Sequence, residues 1–236
     1  MRPRRRKSDM KIYLIRHADP DYAHDTITPR GHLEAQALAR RMFFLNPDRI
    51  YSSPMGRAIR TMQYTAELLK KSHSFERWTA EIHDFYAELE DGKKVVVWDL
   101  PGPLFRAKAP VPTQDNWHEI DFLSRPFLRQ RFTELCDHSD EFMRRHGYQR
   151  EGTRYRIIES NRDSIALFCH GGFSVCWLAH LLEIPLPLMI SGFGFPPTGV
   201  TTIEMDERGD GWAVPRCAGV ADVSHLYEAR LLAPPK

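Results

Sequence analysis

The 236-residue chain is short of several things, and each shortage removes a class of function. No apolar run approaches the roughly 18 residues that a membrane-crossing helix needs, and no apolar stretch follows the basic N-terminus, so neither a membrane span nor a signal peptide is expected. Cysteine is scarce: Cys136, Cys169, Cys176 and Cys217 make no CxxC or CxxxH pairing. That speaks against a disulfide scaffold and a zinc site, and for a reducing, cytoplasmic compartment. Charge of one sign is also lacking, because the first nine residues carry Arg2, Arg4, Arg5, Arg6 and Lys7 against Asp9, and without them the formal +2 becomes about −2. With no general basic field, nucleic acid is not an expected partner. Residues 1–10 read as a solvated, disordered basic tail, and no internal repeat divides the remainder.

What is present is length enough for one α/β domain whose core needs no metal or disulfide staple. Residues 11–236 are expected to form that single domain. Its leading stretch is Ile12-Tyr13-Leu14-Ile15-Arg16-His17-Ala18. Four apolar residues predict a short buried strand, and the Arg-His pair falls where the strand runs out. In an open α/β sheet ligands bind beyond the carboxyl ends of the strands, so the pair is placed for chemistry.

Downstream, Asp19–Arg30 reads as a loop whose Asp19, Tyr22 and His24 face the same crevice. Thr28 is a candidate N-cap and Pro29 a first helical residue for a helix over Gly31–Phe44, with Leu33, Ala37, Leu38, Arg41 and Met42 on one face. A strand over Arg49–Ser52 and Ser53-Pro54 precede an amphipathic helix over Met55–Lys71, marked by Ile59, Met62, Ala66 and Leu69, with Arg57 in its first turn. Phe75–Phe85 is a strand or loop carrying Glu81, His83 and Asp84, with Glu88, Glu90 and Asp91 behind it. The proline-punctuated stretch from 93 to 125 shows Trp98, Phe105, Trp117 and Phe122 as exposed-looking aromatics, and residues 90–160 are expected to form a cap or insert over the crevice.

Pro126–Tyr148 is the clearest helix of the middle region, with Leu128, Phe132, Leu135 and Phe142 on one stripe and Gly147 at its end. Tyr155–Glu159 and Ser164–Cys169 read as a hairpin-like pair. The second delivers His170 at its carboxyl end, followed by Gly171, Gly172 and a helix over Phe173–Leu182. Val200–Met205 and Trp212–Cys217 predict a hairpin, and the last residues a loosely held tail.

Two strand ends that present histidine, with arginines and helix N-termini nearby, suit phosphoryl transfer. A neutral imidazole attacks phosphorus, and the protein positions the group and spreads donors over its oxygens. The sequence resembles the histidine phosphatase superfamily, the phosphoglycerate mutase-like proteins. Leu14-Ile15-Arg16-His17-Ala18 is similar to that family's Arg-His-Gly signature, with alanine where glycine is commoner. Ile27-Thr28-Pro29-Arg30-Gly31 with Ala35-Gln36-Ala37 resembles its Leu-Thr-x-x-Gly-x-x-Gln-Ala segment. Tyr51-Ser52-Ser53-Pro54-Met55-Gly56-Arg57-Ala58 resembles Ser-Ser-Pro-x-x-Arg-Ala, and His170-Gly171-Gly172 its second His-Gly.

The resemblance implies a three-layer sandwich with a mostly parallel central sheet flanked by helices. It also implies a metal-independent phosphatase that acts on a small phosphate ester, with no cofactor and no metal. His17 would be the phosphate acceptor, and Arg16, Arg57 and His170 would clamp the phosphate. Glu81 would be the proton donor, since Glu81-Ile82-His83-Asp84-Phe85 resembles the family's Glu-Ile-Asp-Phe-Gly stretch, and Asp84 and Glu88 are its competitors. A phosphomutase using the same intermediate is an alternative. So are a metal-dependent phosphohydrolase built on His17, Asp19, Asp21, His24 and Asp25, and a protein that only binds a phosphorylated ligand. Substrate identity and oligomeric state are not legible.

Overall fold

The computed structural model describes residues 9–88, 92–107 and 112–231. The basic run Arg2–Lys7, the carboxylates Glu90 and Asp91, and residues 232–236 lie outside the described residues. Strand β1 (Lys11–Arg16) leads through a small hairpin of β2 (Pro20–Asp21) and β3 (Thr26–Ile27) into α1 (Pro29–Leu45), β4 (Arg49–Ser52), α2 (Gly56–Leu69) and β5 (Ser74–Phe75). A second small hairpin, β6 (Tyr86–Glu88) and β7 (Lys94–Val96), precedes α3 (Gly102–Arg106) and α4 (Pro126–Arg145). The remainder runs β8 (Tyr148–Glu151), β9 (Arg154–Ile157), β10 (Ser164–Cys169), α5 (Gly171–Leu182), α6 (Leu186–Gly192), β11 (Val200–Asp206), β12 (Trp212–Asp222) and α7 (Ser224–Glu228).

The main sheet has eight strands in the order β5-β4-β10-β1-β11-β12-β9-β8. Its centre is parallel, since β4, β10 and β1 run the same way, and antiparallel pairing begins at β11. The four apolar residues of β1 alternate between two helical layers, as a strand's two-residue period requires. Ile12 and Leu14, with Ile165 and Leu167 of β10, pack with Phe142 of α4 and Phe173 and Trp177 of α5. Tyr13 and Ile15, with Ala166 and Phe168, pack with Leu38 and Met42 of α1 and Met62 and Ala66 of α2. The expected three-layer α/β sandwich with a parallel centre is therefore present.

Local signals behave as their chemistry dictates at two helix ends. Thr28 Oγ1 accepts from Gly31 N at 3.1 Å with Pro29 following, a cap that contributes about 1 kcal/mol. Gly147 lies at φ +91°, where a side chain would strain the turn, and its own position is crowded by Glu159 O, so α4 stops at Arg145.

Four expectations need correcting. Tyr155–Glu159 does not pair with Ser164–Cys169: β9 pairs with β8 across Gly152 and with β12, while β10 lies between β1 and β4. The run Ile165–Cys169 is wholly buried, which suits a central parallel strand and not one arm of a hairpin. Leu33 is half exposed, because the buried stripe of α1 runs through Glu34, Ala35, Leu38 and Met42. The aromatics of the middle segment are not exposed: Phe105 and Trp117 are buried, and Trp98 and Phe122 pack against the same core. Finally, part of the chain's end is anchored, since α7 buries His225 and Leu226.

Candidate active site

The parallel centre of the sheet brings three strand ends together. β1 delivers Arg16 and His17, β10 delivers His170, and β4 delivers Ser53; His17 N donates to Cys169 O at 2.9 Å and Ser53 N to Phe168 O at 2.8 Å. The imidazoles of His17 and His170 stand 5.2 Å apart, centroid to centroid. Both are buried, and Arg57, in the first turn of α2, is buried beside them.

The state of His17 follows from its neighbours. Its Nδ1 lies 2.7 Å from Ala18 O. A carbonyl oxygen only accepts, so Nδ1 carries the proton and Nε2 keeps the lone pair. Burial pushes the imidazole's pKa down from its ordinary 6.5 to about 3, with the positive charges of Arg16 and Arg57 adding to the effect and the Ala18 hydrogen bond opposing it. The ring is therefore neutral at physiological pH. His170 is held well below its ordinary value too, first by burial and then by His17 and Arg57. Its Nε2 lies 2.7 Å from Ser53 Oγ, and Ser53 Oγ also accepts from Met55 N at 3.3 Å.

The cations are fixed from the side. Arg16 donates through Nη1 to Phe195 O. A Cβ on Gly171 would sit 3.3 Å from the Arg16 guanidinium carbon, so the bare backbone lets the cation lie against the start of α5. Arg57 donates to Asp25 Oδ1 at 2.7 Å, and Asp25 Oδ2 accepts from Gly56 N at 2.7 Å. Five buried side-chain nitrogens or oxygens among the described residues have no hydrogen-bond partner. Three of them belong to this site: Arg16 Nε, Arg57 Nε and His170 Nδ1.

Glu81 lies at the mouth of α5, where Gly172 N donates to Oε2 at 3.1 Å and Phe173 N to Oε1 at 2.8 Å. The other carboxylates face elsewhere, Asp84 pairing with Arg131 at 3.0 Å and Glu88 with Arg125 at 3.1 Å. Trp98 covers the same helix end: a Cβ on Gly172 would come within 2.3 Å of its ring, which stacks on Phe85 at 6.0 Å.

Of the loop residues expected to face the crevice, Tyr22 does so, with its ring 6.5 Å from that of His17 and 5.5 Å from the Arg57 guanidinium carbon. The others have separate partners: Thr28 Oγ1 donates to Asp19 Oδ2 at 2.6 Å, and His24 pairs with Asp21 at 2.8 Å. Among the described residues no three His, Cys, Asp or Glu side chains gather as a metal ion would need. Sequence reasoning missed Asp25 as the partner of Arg57 and Met55, whose sulfur lies 3.3 Å from Glu81 N and 3.6 Å from Arg57 Nη2. The only signal for Met55 was its place inside the Ser-Ser-Pro motif.

Comparison with known proteins adds a likeness to this geometry. Residues 12–86 match the histidine phosphatase superfamily (branch 1). Over these residues, which include Arg16, His17, Arg57 and Glu81, the chain is similar to that superfamily. A curated relative from Hydrogenobacter thermophilus named "Putative phosphoserine phosphatase 2" is 31% identical over 136 residues, 50% of this chain. The match spans 64% of that relative's length. Solved structures share the fold of this chain. A mutant phosphoserine phosphatase from Entamoeba histolytica in complex with phosphoserine matches with TM-score 0.62 at 19% identity, over 92% of this chain and 99% of that one. Bacillus stearothermophilus YhfR matches with TM-score 0.59 at 21% identity, over 92% and 99%. A mycobacterial glucosyl-3-phosphoglycerate phosphatase matches with TM-score 0.55 at 16% identity, over 89% and 98%. Among the described residues no helix is long and apolar enough to cross a membrane.

Proposed function

We propose that the chain is a phosphoric monoester hydrolase that works without a metal, through a phosphohistidine on His17. The observation that carries this reading is the set of three buried nitrogens left without partners around a neutral imidazole. A buried donor without an acceptor costs about 1–3 kcal/mol, and an anion with several oxygens satisfies all three at once.

His17 Nε2 attacks phosphorus in line, forming the N–P bond as the ester P–O bond breaks. Arg16, Arg57 and His170 hold the equatorial oxygens, where charge gathers in the transition state. Glu81 in its acid form gives its proton to the departing oxygen. Its carboxylate then takes a proton from the water that attacks phosphorus, and the N–P bond breaks to release phosphate and free imidazole. The helix amides of Gly172 and Phe173 keep this carboxyl beside His170, which favours Glu81 over the ion-paired Asp84 and Glu88.

The substrate is a small phosphate ester, as the phosphoserine and 3-phosphoglyceric acid bound by the Entamoeba histolytica relative support. Of the stretch 90–160, the part before α4 acts as a cap, with Trp98 nearest the helix end that faces the phosphate, while α4 packs on the sheet and β8 and β9 are strands of it.

Release of phosphate from p-nitrophenyl phosphate in excess chelator, compared between the parent and His17→Ala, tests the proposal. Turnover by the parent alone supports it. Activity that chelator removes and added metal restores overturns metal independence, and full activity of His17→Ala overturns the role of His17.

A further inference from the structure

The segment Phe195–Gly199 straps down both residues of the β1 strand end. Phe195 O receives the Arg16 guanidinium, Thr198 N donates to both Arg16 O at 3.1 Å and His17 O at 3.2 Å, and Gly199 O accepts from Arg16 N at 3.3 Å. The strap carries a conformational cost at its centre. Thr198 is a β-branched residue at φ +56°, in the left-handed region that such side chains rarely adopt. A strained residue persists only where its surroundings over-determine it.

What over-determines Thr198 is His225 of α7, itself buried and 27 residues away in sequence. Thr198 Oγ1 donates its single proton to Pro197 O at 2.8 Å, so at the 3.0 Å contact with His225 Nε2 the imidazole must be the donor. The other face of the ring agrees. Its Nδ1 lies 3.5 Å from Arg41 Nη1, and a guanidinium only donates, so Nδ1 must carry the lone pair. Arg41 is fixed in turn by Asp222, through Asp222 O at 3.0 Å and Oδ2 at 2.8 Å. Two independent neighbours thus select one tautomer, and that tautomer holds the hydroxyl of the strained residue.

We propose that His225 is a positioning residue for the phosphoryl-transfer site: through Thr198 it locks the turn that sets the backbone of Arg16 and His17. The inference rests on the phosphatase reading for its catalytic meaning, and on the strap geometry alone for its structural one. His225 touches no reacting atom. Removing its donor leaves the strand and the core in place but lets the turn relax, so attack geometry at His17 suffers while the surrounding cations still bind the phosphate. The expected result is a fall in kcat on the order of ten- to a hundredfold with KM changed little, since misplacement of a reacting group by about an ångström has that effect.

The test uses four variants of the full chain: Thr198→Val, which keeps shape and loses the hydroxyl; His225→Phe, which keeps the ring; His225→Gln, which keeps an N–H at the reach of Nε2; and the Thr198→Val/His225→Phe double variant. kcat and KM on p-nitrophenyl phosphate are measured with the ¹⁵N signals of histidine-labelled protein, in which His17 is assigned by its loss in His17→Ala. Thr198→Val and His225→Phe should each lose kcat and shift the His17 imidazole signals, the double variant should be no worse than the poorer single one, and His225→Gln should recover most of the loss. Should His225→Phe fail to fold, Thr198→Val decides alone. Parent-like kcat and unmoved His17 signals in Thr198→Val overturn the proposal, as does a loss confined to KM. Absence of turnover in the parent refutes the phosphatase reading, while the His17 signals still decide whether the strap is anchored by His225.

Discussion

Acid should unfold this protein earlier than its carboxylates alone would, because the fold buries neutral imidazoles. Burial holds His17 at about 3, and His146 and His225 each at about 4, against an ordinary 6.5, and it holds His170 low as well. Above about pH 6.5 both folded and unfolded chains carry these rings neutral, and the stabilisation is complete. As pH falls below that value the unfolded chain takes up protons that the folded chain refuses, so stability falls. At pH 5 the linkage amounts to about 2 kcal/mol for each of His17, His146 and His225, or about 6 kcal/mol together, with His170 acting in the same direction. Against a typical stability of about 5–15 kcal/mol this is a large fraction. The carboxylates that the fold holds low, such as Asp206 at about 2, lose their contribution only further into acid, so the interval from pH 7 to 5 reports the histidines. Urea unfolding followed by tryptophan fluorescence at pH 7.5 and pH 5 measures the difference. With a denaturant slope of about 2–3 kcal/mol per molar, the midpoint should drop by about 2–3 M. His146, packed between the rings of Tyr51 and Phe142 with its Nε2 unpartnered, offers the local control: His146→Phe should remove about a third of the drop. Equal midpoints at the two pH values would refute the reasoning.

Two further outcomes are expected. Glu81→Gln should slow an alkyl phosphate far more than an aryl phosphate, because only the poor leaving group needs the proton; equal losses on the two in kcat measurements would move that role to another acid. Gly172→Ala should force the Trp98 ring aside and lower stability by about 1–3 kcal/mol in thermal unfolding, with Trp98→Leu recovering part of the loss in the paired variant; a parent-like melting temperature would show that the ring does not press on the helix end.

The parts of this structure that were legible in the sequence are those where one local rule decides. The four-residue apolar run before Arg16 became a central strand, Thr28 capped α1, and Ile165–Cys169 delivered His170 to the side of His17. The strand partner of Tyr155 was misread because β9 is pinned by Gly152 to β8 and by a strand more than fifty residues away, a pairing that no local pattern encodes. The middle segment misled for a different reason. Prolines break its periodicity, so Phe105 and Trp117 looked exposed, yet short turns fold them into the core. At the site, residue types were readable and partnerships were not. Asp25 looked like one member of an acidic loop, and only the fold shows its carboxylate spent on Arg57 and the start of α2. Thr198 and His225 carried no sequence signal, because their roles depend on a left-handed turn and a tautomer.

The central claim is a covalent phosphoryl group on His17. Incubating the parent with a phosphate ester for a few milliseconds, quenching in strong base, where an N–P bond survives, and mapping the modified peptide by mass spectrometry tests it directly. The account predicts one phosphoryl group on the peptide that contains Arg16 and His17, absent from His17→Ala and lost when the quenched sample is acidified. Steady turnover with no phosphorylated peptide in the quenched parent, or a phosphoryl group on a different residue, would contradict it.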